Sequence, residues 1–145
     1  MNKKAFTIAE LIVVLSIMII ILGMTGAYIF NYRSGSALNL CAKEIASALG
    51  QARDLSITTQ EQHSVIVDIA AETYQIRDSA NGLVDSFKAE DGIDIVSVTG
   101  YASDTITFNT TGSVGDGSGN IQLRNNQGKI CTINIYNVTG QIKIQ

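Results

Sequence analysis

The sequence has no proline, only two cysteines and a single histidine in 145 residues, and just 16% of it is charged. Without proline nothing interrupts a long helix, and every turn falls to Gly, Asn, Asp or Ser. Cys41 and Cys131 are too few and too far apart for a zinc ribbon or a disulfide-dense miniature fold. His63 cannot form a metal site alone, and no Cys or carboxylate cluster surrounds it in the sequence. Nor does it have the context of a base beside a Ser or Cys nucleophile. GxxxxGK[ST] is missing, which removes a phosphate cradle. No enzyme and no cofactor are expected. A formal net charge of −3 and a pI near 5.0 argue against a broad grip on nucleic acid.

What the chain has is one concentrated apolar run. It is 46% hydrophobic, too apolar for disorder, and 21 of its first 30 residues belong to the hydrophobic set. From Leu11 to Phe30 no residue is charged. About 20 helical residues at 1.5 Å each match the roughly 30 Å core of a bilayer. Lys3 and Lys4 precede the run, so the positive-inside rule places the N-terminus in the cytoplasm and the remainder outside. A cleaved secretory signal would have an apolar region of only about 7–15 residues and an A-x-A-like site after it. Glu10 stands at the start of this run, where the helix dipole tolerates an anion but the membrane does not favour one.

The string KKAFTIAELIVVLSIMIIIL resembles the class III signal of type IV prepilins and pseudopilins. The resemblance implies a leader, Met1–Ala5, removed by prepilin peptidase between Ala5 and Phe6, and N-methylation of Phe6. This sequence departs from the family in one place: the position before the cut is usually Gly and here is Ala5, still a small residue. Glu10 takes the place of the family's assembly carboxylate. Chemistry agrees: cutting before Phe6 creates a cationic amine in apolar surroundings, which Glu10 of a neighbouring subunit can neutralise. Such a buried pair sets register more than it adds stability.

Beyond Phe30 the pattern becomes amphipathic. Leu38, Cys41, Ile45, Ala48, Leu49, Ala52 and Leu55 recur at three- and four-residue spacing, with Lys43, Glu44, Ser47, Gln51 and Asp54 off that stripe. One helix from about Phe6 to Thr58 is expected, with Gly23, Gly26 and Gly35 as its weak points. From Ser64 the period changes to two. Val65/Val67/Ile69 and Tyr74/Ile76 form a hairpin turning near residues 70–72. Ile93/Ile95, Ile106/Phe108, Ile121/Leu123, Cys131/Ile133/Ile135 and Ile142/Ile144 alternate likewise. The expected organisation is a leader at 1–5, a transmembrane and assembly helix at 6–30, its amphipathic continuation at 31–60, and a β-rich head at 61–145. The fold class is α+β and type IV pilin-like, a long N-terminal helix (membrane-spanning, then amphipathic) packed on a curved antiparallel, β-rich head.

The head also resembles that of the minor pseudopilin H group (the GspH/FimT class). The likeness rests on the stretches ARDLSITTQEQHSVIVDI, ITFNTTGSV and CTINIYNVTGQIKI, with Ala52-Arg53, Phe108 with Gly112, and Gly140 at the group's characteristic places. His63 is expected to be a surface or junction residue. Gly115–Asn120 offers oxygens at alternate positions like a calcium loop, but lacks the distal Glu of an EF-hand and also reads as a plain loop. Cys41 on the helix stripe and Cys131 on a strand either meet as a disulfide outside the cytoplasm or pack as buried thiols.

The resemblance implies a minor pseudopilin of a type II secretion system, supporting protein export from a periplasmic pseudopilus. Its partners would be prepilin peptidase, other major and minor pseudopilins or pilins, the inner-membrane assembly platform and membrane lipid. A minor pilin of a type IV or DNA-uptake pilus is the nearest alternative. From another class comes an uncut, signal-anchored extracytoplasmic binding module.

Overall fold

The computed structural model describes residues 7–145, with side chains described outside residues 24–34. The leader Met1–Ala5, the Ala5–Phe6 cleavage site and the Phe6 terminus lie outside the described residues. The chain forms two units, residues 1–33 and 34–145.

One helix, α1 (Ile8–Thr59), carries the described part of the first unit. Its backbone is helical without interruption through Gly23, Gly26 and Gly35. Every large apolar side chain from Ile8 to Leu22 is 49–81% exposed. Among the described residues no helix is long and apolar enough to cross a membrane. The apolar side chains described there end at Leu22, and a span needs about 20 residues.

In the second unit α1 turns amphipathic. Leu38, Cys41, Ala42, Ile45, Ala48, Leu49 and Ala52 are buried, while Lys43, Glu44, Ser47, Gln51 and Asp54 remain exposed. The buried stripe contributes to one core with side chains from eight strands. These are β1 (His63–Asp68), β2 (Thr73–Arg77), β3 (Leu83–Lys88), β4 (Ile93–Thr99), β5 (Thr105–Phe108), β6 (Gly119–Asn125), β7 (Ile130–Ile135) and β8 (Ile142–Ile144).

The antiparallel head has two four-stranded sheets, ordered β3-β2-β1-β5 and β4-β6-β7-β8. Alternation marks which side chains face inward, but it does not say which strands pair, and the second sheet starts with β4 rather than continuing from β3. Alternate residues of β1, β2, β5, β6 and β7 are buried as their period of two requires. β3 was not expected at all. Its leading Leu83 and Val84 are both exposed, and only Phe87 packs against the core, stacked on Tyr74 at 5.1 Å. Ile69 falls just beyond β1, in the turn.

Candidate functional site

At the start of α1, Thr7 and Glu10 close a reciprocal cap. Glu10 Oε2 accepts hydrogen bonds from the Thr7 backbone N–H and hydroxyl, both at 3.0 Å, and the Glu10 N–H donates to Thr7 Oγ1 at 3.3 Å. This Thr-x-x-Glu arrangement satisfies donors that the first turn of a helix leaves without intrahelical partners. It also fixes the carboxylate at the start of the exposed apolar run. Further along, Ser16 donates to the Ile12 carbonyl at 2.8 Å, so its hydroxyl is satisfied within its own helix.

The second candidate site lies at the Thr59 end of the head. Arg53 donates from Nε to the carbonyl of Gly112 at 3.2 Å, joining the helix to the β5–β6 connection 59 residues away. A Cβ at Gly112 would stand 2.7 Å from Ile57 Cδ1, and one at Gly140 would strike the Gly112 carbonyl and approach Arg53 Nε to 2.9 Å. Both glycines have positive φ, +77° and +58°, so their lack of a side chain serves the turn and the close approach together. The residues singled out separately in the sequence, Ala52-Arg53, Gly112 and Gly140, thus belong to one cluster. Phe108, fully buried, bridges Val114 beside it.

Next to this cluster the β7–β8 turn is fastened from several directions. Tyr136 N–H donates to Gln141 O at 2.9 Å and Val114 N–H to Asn137 O at 2.9 Å. Asn137 N–H donates to Ser118 Oγ at 3.0 Å. Val138, at the turn, is 85% exposed.

His63 opens β1 at the helix-to-strand junction, as expected, but it is buried, with Nδ1 3.3 Å from the Glu61 carbonyl. It lines a polar recess of about 230 Å³ with Ser64, Asp78, Asn81 and Thr107. Among the described residues no group of three or more His, Cys, Asp and Glu is placed to hold a metal ion. In the Gly115–Asn120 segment, Gly119 and Asn120 already belong to β6. Cys41 and Cys131 are free thiols, both buried, and burial pushes both thiol pKa values up. The charges of Glu44 and Glu90, and after them Cys131, add to the upward shift of Cys41.

The arrangement of a long helix against two antiparallel sheets has known counterparts. The minor pseudopilin EpsH from the type 2 secretion system of Vibrio cholerae superposes with a TM-score of 0.61 at 9% identity, covering 74% of this chain and 95% of that one. The type IV minor pilin FimU of Pseudomonas aeruginosa gives 0.64 at 16% identity, over 80% of this chain and 92% of FimU. A second EpsH structure gives 0.59 at 10%, over 75% and 93%. The fold is the pilin-like α+β fold of these neighbours. No protein-family model matches the sequence, and no curated protein does. The pilin-like head therefore keeps its architecture with very few identical residues.

Within this pilin-like chain, sequence reasoning placed Glu10 but missed the part of Thr7. The signal was present, since Thr-x-x-Glu before an apolar run is a capping box. It also missed that Arg53, Gly112 and Gly140 meet, because no local pattern reports a contact across such separations.

Proposed function

We propose that this chain is a minor pseudopilin, an assembly subunit incorporated into or at the tip of a periplasmic pseudopilus that supports protein export. Before assembly it is held in the inner membrane as a single-pass prepilin, with residues 6–30 as the anchor and the head outside. Prepilin peptidase removes Met1–Ala5 and methylates Phe6. Glu10 then meets the Phe6 amine of a neighbouring subunit, which sets its register in the filament. The chain does mechanical and structural work and carries out no catalysis.

The observation that carries this reading is a pilin-like head on the same helix as an exposed apolar run, with Glu10 in its first turn. An exposed apolar surface of that extent calls for lipid or partner helices to cover it. Likeness to FimU supports a second reading, a minor pilin of a type IV pilus, with the same processing and the same use of Glu10. Intact-mass measurement of the full chain, made with and without prepilin peptidase, tests both. Loss of residues 1–5 and one added methyl group are expected only with the peptidase. Retention of the leader in both samples sinks the assignment.

A further inference from the structure

We propose that Asn81, in the β2–β3 turn, is a self-modification site. The backbone nitrogen of Gly82 attacks its side-chain amide, with Asp78 as the base and Arg77 holding the developing oxyanion. The product is a cyclic imide that water opens to aspartate or isoaspartate. The inference stands on this turn alone and does not depend on the assembly reading above.

Asn81-Gly82 is the only Asn-Gly step in the sequence. Glycine matters here because the attacking nitrogen must approach its neighbour's side chain, and a Cβ on residue 82 would crowd it. That Cβ would also stand 2.7 Å from Asp78 Oδ2, so the carboxylate lies close against Gly82. Asp78 Oδ1 accepts the Gly82 N–H at 2.7 Å and the Ala80 N–H at 3.0 Å. A carbonyl in that place would only tie up the N–H, but a carboxylate can also take its proton. Arg77 Nη1 donates to Asn81 Oδ1 at 3.3 Å and to the Asn81 carbonyl at 3.0 Å. Negative charge develops on Oδ1 as the amide is attacked, and a fixed cation there stabilises it more than it does the neutral amide. Asn81 has a left-handed backbone, φ +64°, which Asn tolerates. Asn81 N–H to Asp78 O and Asp78 N–H to Gly82 O, both at 3.0 Å, hold the base, the amide and the nucleophile in one turn.

The chemistry needs no reagent beyond water. The Gly82 nitrogen bonds to Asn81 Cγ as its proton passes to Asp78 Oδ1. The Cγ–Nδ2 bond then breaks, Asp78 returns the proton to Nδ2, and ammonia leaves. Water reaches the imide through the polar recess that Asp78 and Asn81 line with His63. Opening at Cγ gives aspartate at position 81. Opening at the backbone carbonyl gives isoaspartate, with one more methylene in the main chain of the turn that carries edge strand β3. The aspartate product has a place ready for it. Among the described residues Arg77 makes no ion pair, and its Nε is buried without a hydrogen-bond partner. A carboxylate at position 81 supplies the counter-charge that this guanidinium lacks.

The test incubates the full folded chain at neutral pH and follows position 81 in the tryptic peptide Asp78–Lys88, beside the same peptide incubated alone. The readout is the mass gained when the amide nitrogen is exchanged for oxygen, with isoaspartate separated from aspartate by chromatography. The folded chain is expected to convert about tenfold or more faster than the free peptide, as a positioned base requires. Conversion at the peptide's rate or more slowly overturns the proposal, because the turn then only shields the amide. Asp78→Asn keeps an oxygen to accept the Gly82 and Ala80 N–H groups but cannot take up a proton. It should leave the melting temperature of the head unchanged and slow conversion roughly a hundredfold, the lower end of what a positioned base contributes. An unchanged rate overturns the role of Asp78. Asn81→Asp reproduces one product and should raise the melting temperature by giving Arg77 its partner. A lowered melting temperature overturns the fit of that product.

Discussion

Arg53 fills the space that a side chain at Gly140 would need: its Nε is 2.9 Å from where that Cβ would be, with the Gly112 carbonyl nearer still. Helix, β5–β6 connection and terminal hairpin are thereby locked at one point, and removal of the glycine should be felt by all three. Gly140→Ala is expected to lower head stability by about 3 kcal/mol or more, combining a left-handed backbone penalty of about 1–2 kcal/mol with overpacking of about 1–3 kcal/mol. Gly128, at φ +80° with nothing within 4 Å, provides the control. Gly128→Ala should cost only the backbone share. Denaturant titration of both variants checks the difference, and equal losses would contradict the lock.

Glu10 has two separable properties, its hydrogen bonds to Thr7 and its charge. Glu10→Gln retains a side chain able to close the cap, whereas Glu10→Ala loses both cap and charge. Losing the cap costs about 0.5–2 kcal/mol at the helix start, too little to prevent membrane insertion. Both variants should insert and both should fail to co-purify with neighbouring subunits. Recovery of co-purification by Glu10→Gln alone would assign the residue to capping rather than to pairing with an amine.

Burial pushes the phenols of Tyr74 and Tyr101 up from 10.0 to about 12. Below pH 10 both are neutral whether the chain is folded or unfolded, and their contribution to stability is complete. Above pH 10 the unfolded chain ionises first, so stability is lost progressively until the folded phenols ionise near pH 12. Thermal melts from pH 9 to 12 should show this decline. Tyr74→Phe, which retains the ring stacked on Phe87, should make the decline shallower and leave the share due to Tyr101.

Cys41 and Cys131 are buried, and burial disfavours their thiolates. In the reduced native protein both should resist iodoacetamide at neutral pH, because the thiolate is the reacting form. Unfolding should expose two reactive thiols. With both thiols free, protein taken from the oxidising compartment and denatured should take up two labels with or without reductant. Uptake only after reduction would show a disulfide instead.

Much of the fold was legible because its periods are clean. Leu38 to Leu55 repeats every three or four residues, and Val65, Val67, Tyr74 and Ile76 alternate, so the helix and first hairpin declared themselves. β3 did not, because Leu83-Val84 is apolar twice in succession on an edge strand with little of its surface in the core. The division into two sheets was equally hidden, since inward-facing positions do not name their neighbours. At the sites the contrast is similar. Glu10 is conspicuous as a carboxylate at the head of an apolar run. The meeting of Arg53, Gly112 and Gly140 depends on loops closing across the molecule, for which single residues give no sign.

The Thr7–Glu10 cap has a consequence for the timing of assembly. In the single chain the carboxylate is already held by its own helix, through the Thr7 N–H and hydroxyl. Under the proposed pairing with a neighbour's amine, the same oxygen would have to give up those bonds for an ion pair. The cap would then keep the carboxylate in one place until its partner arrives.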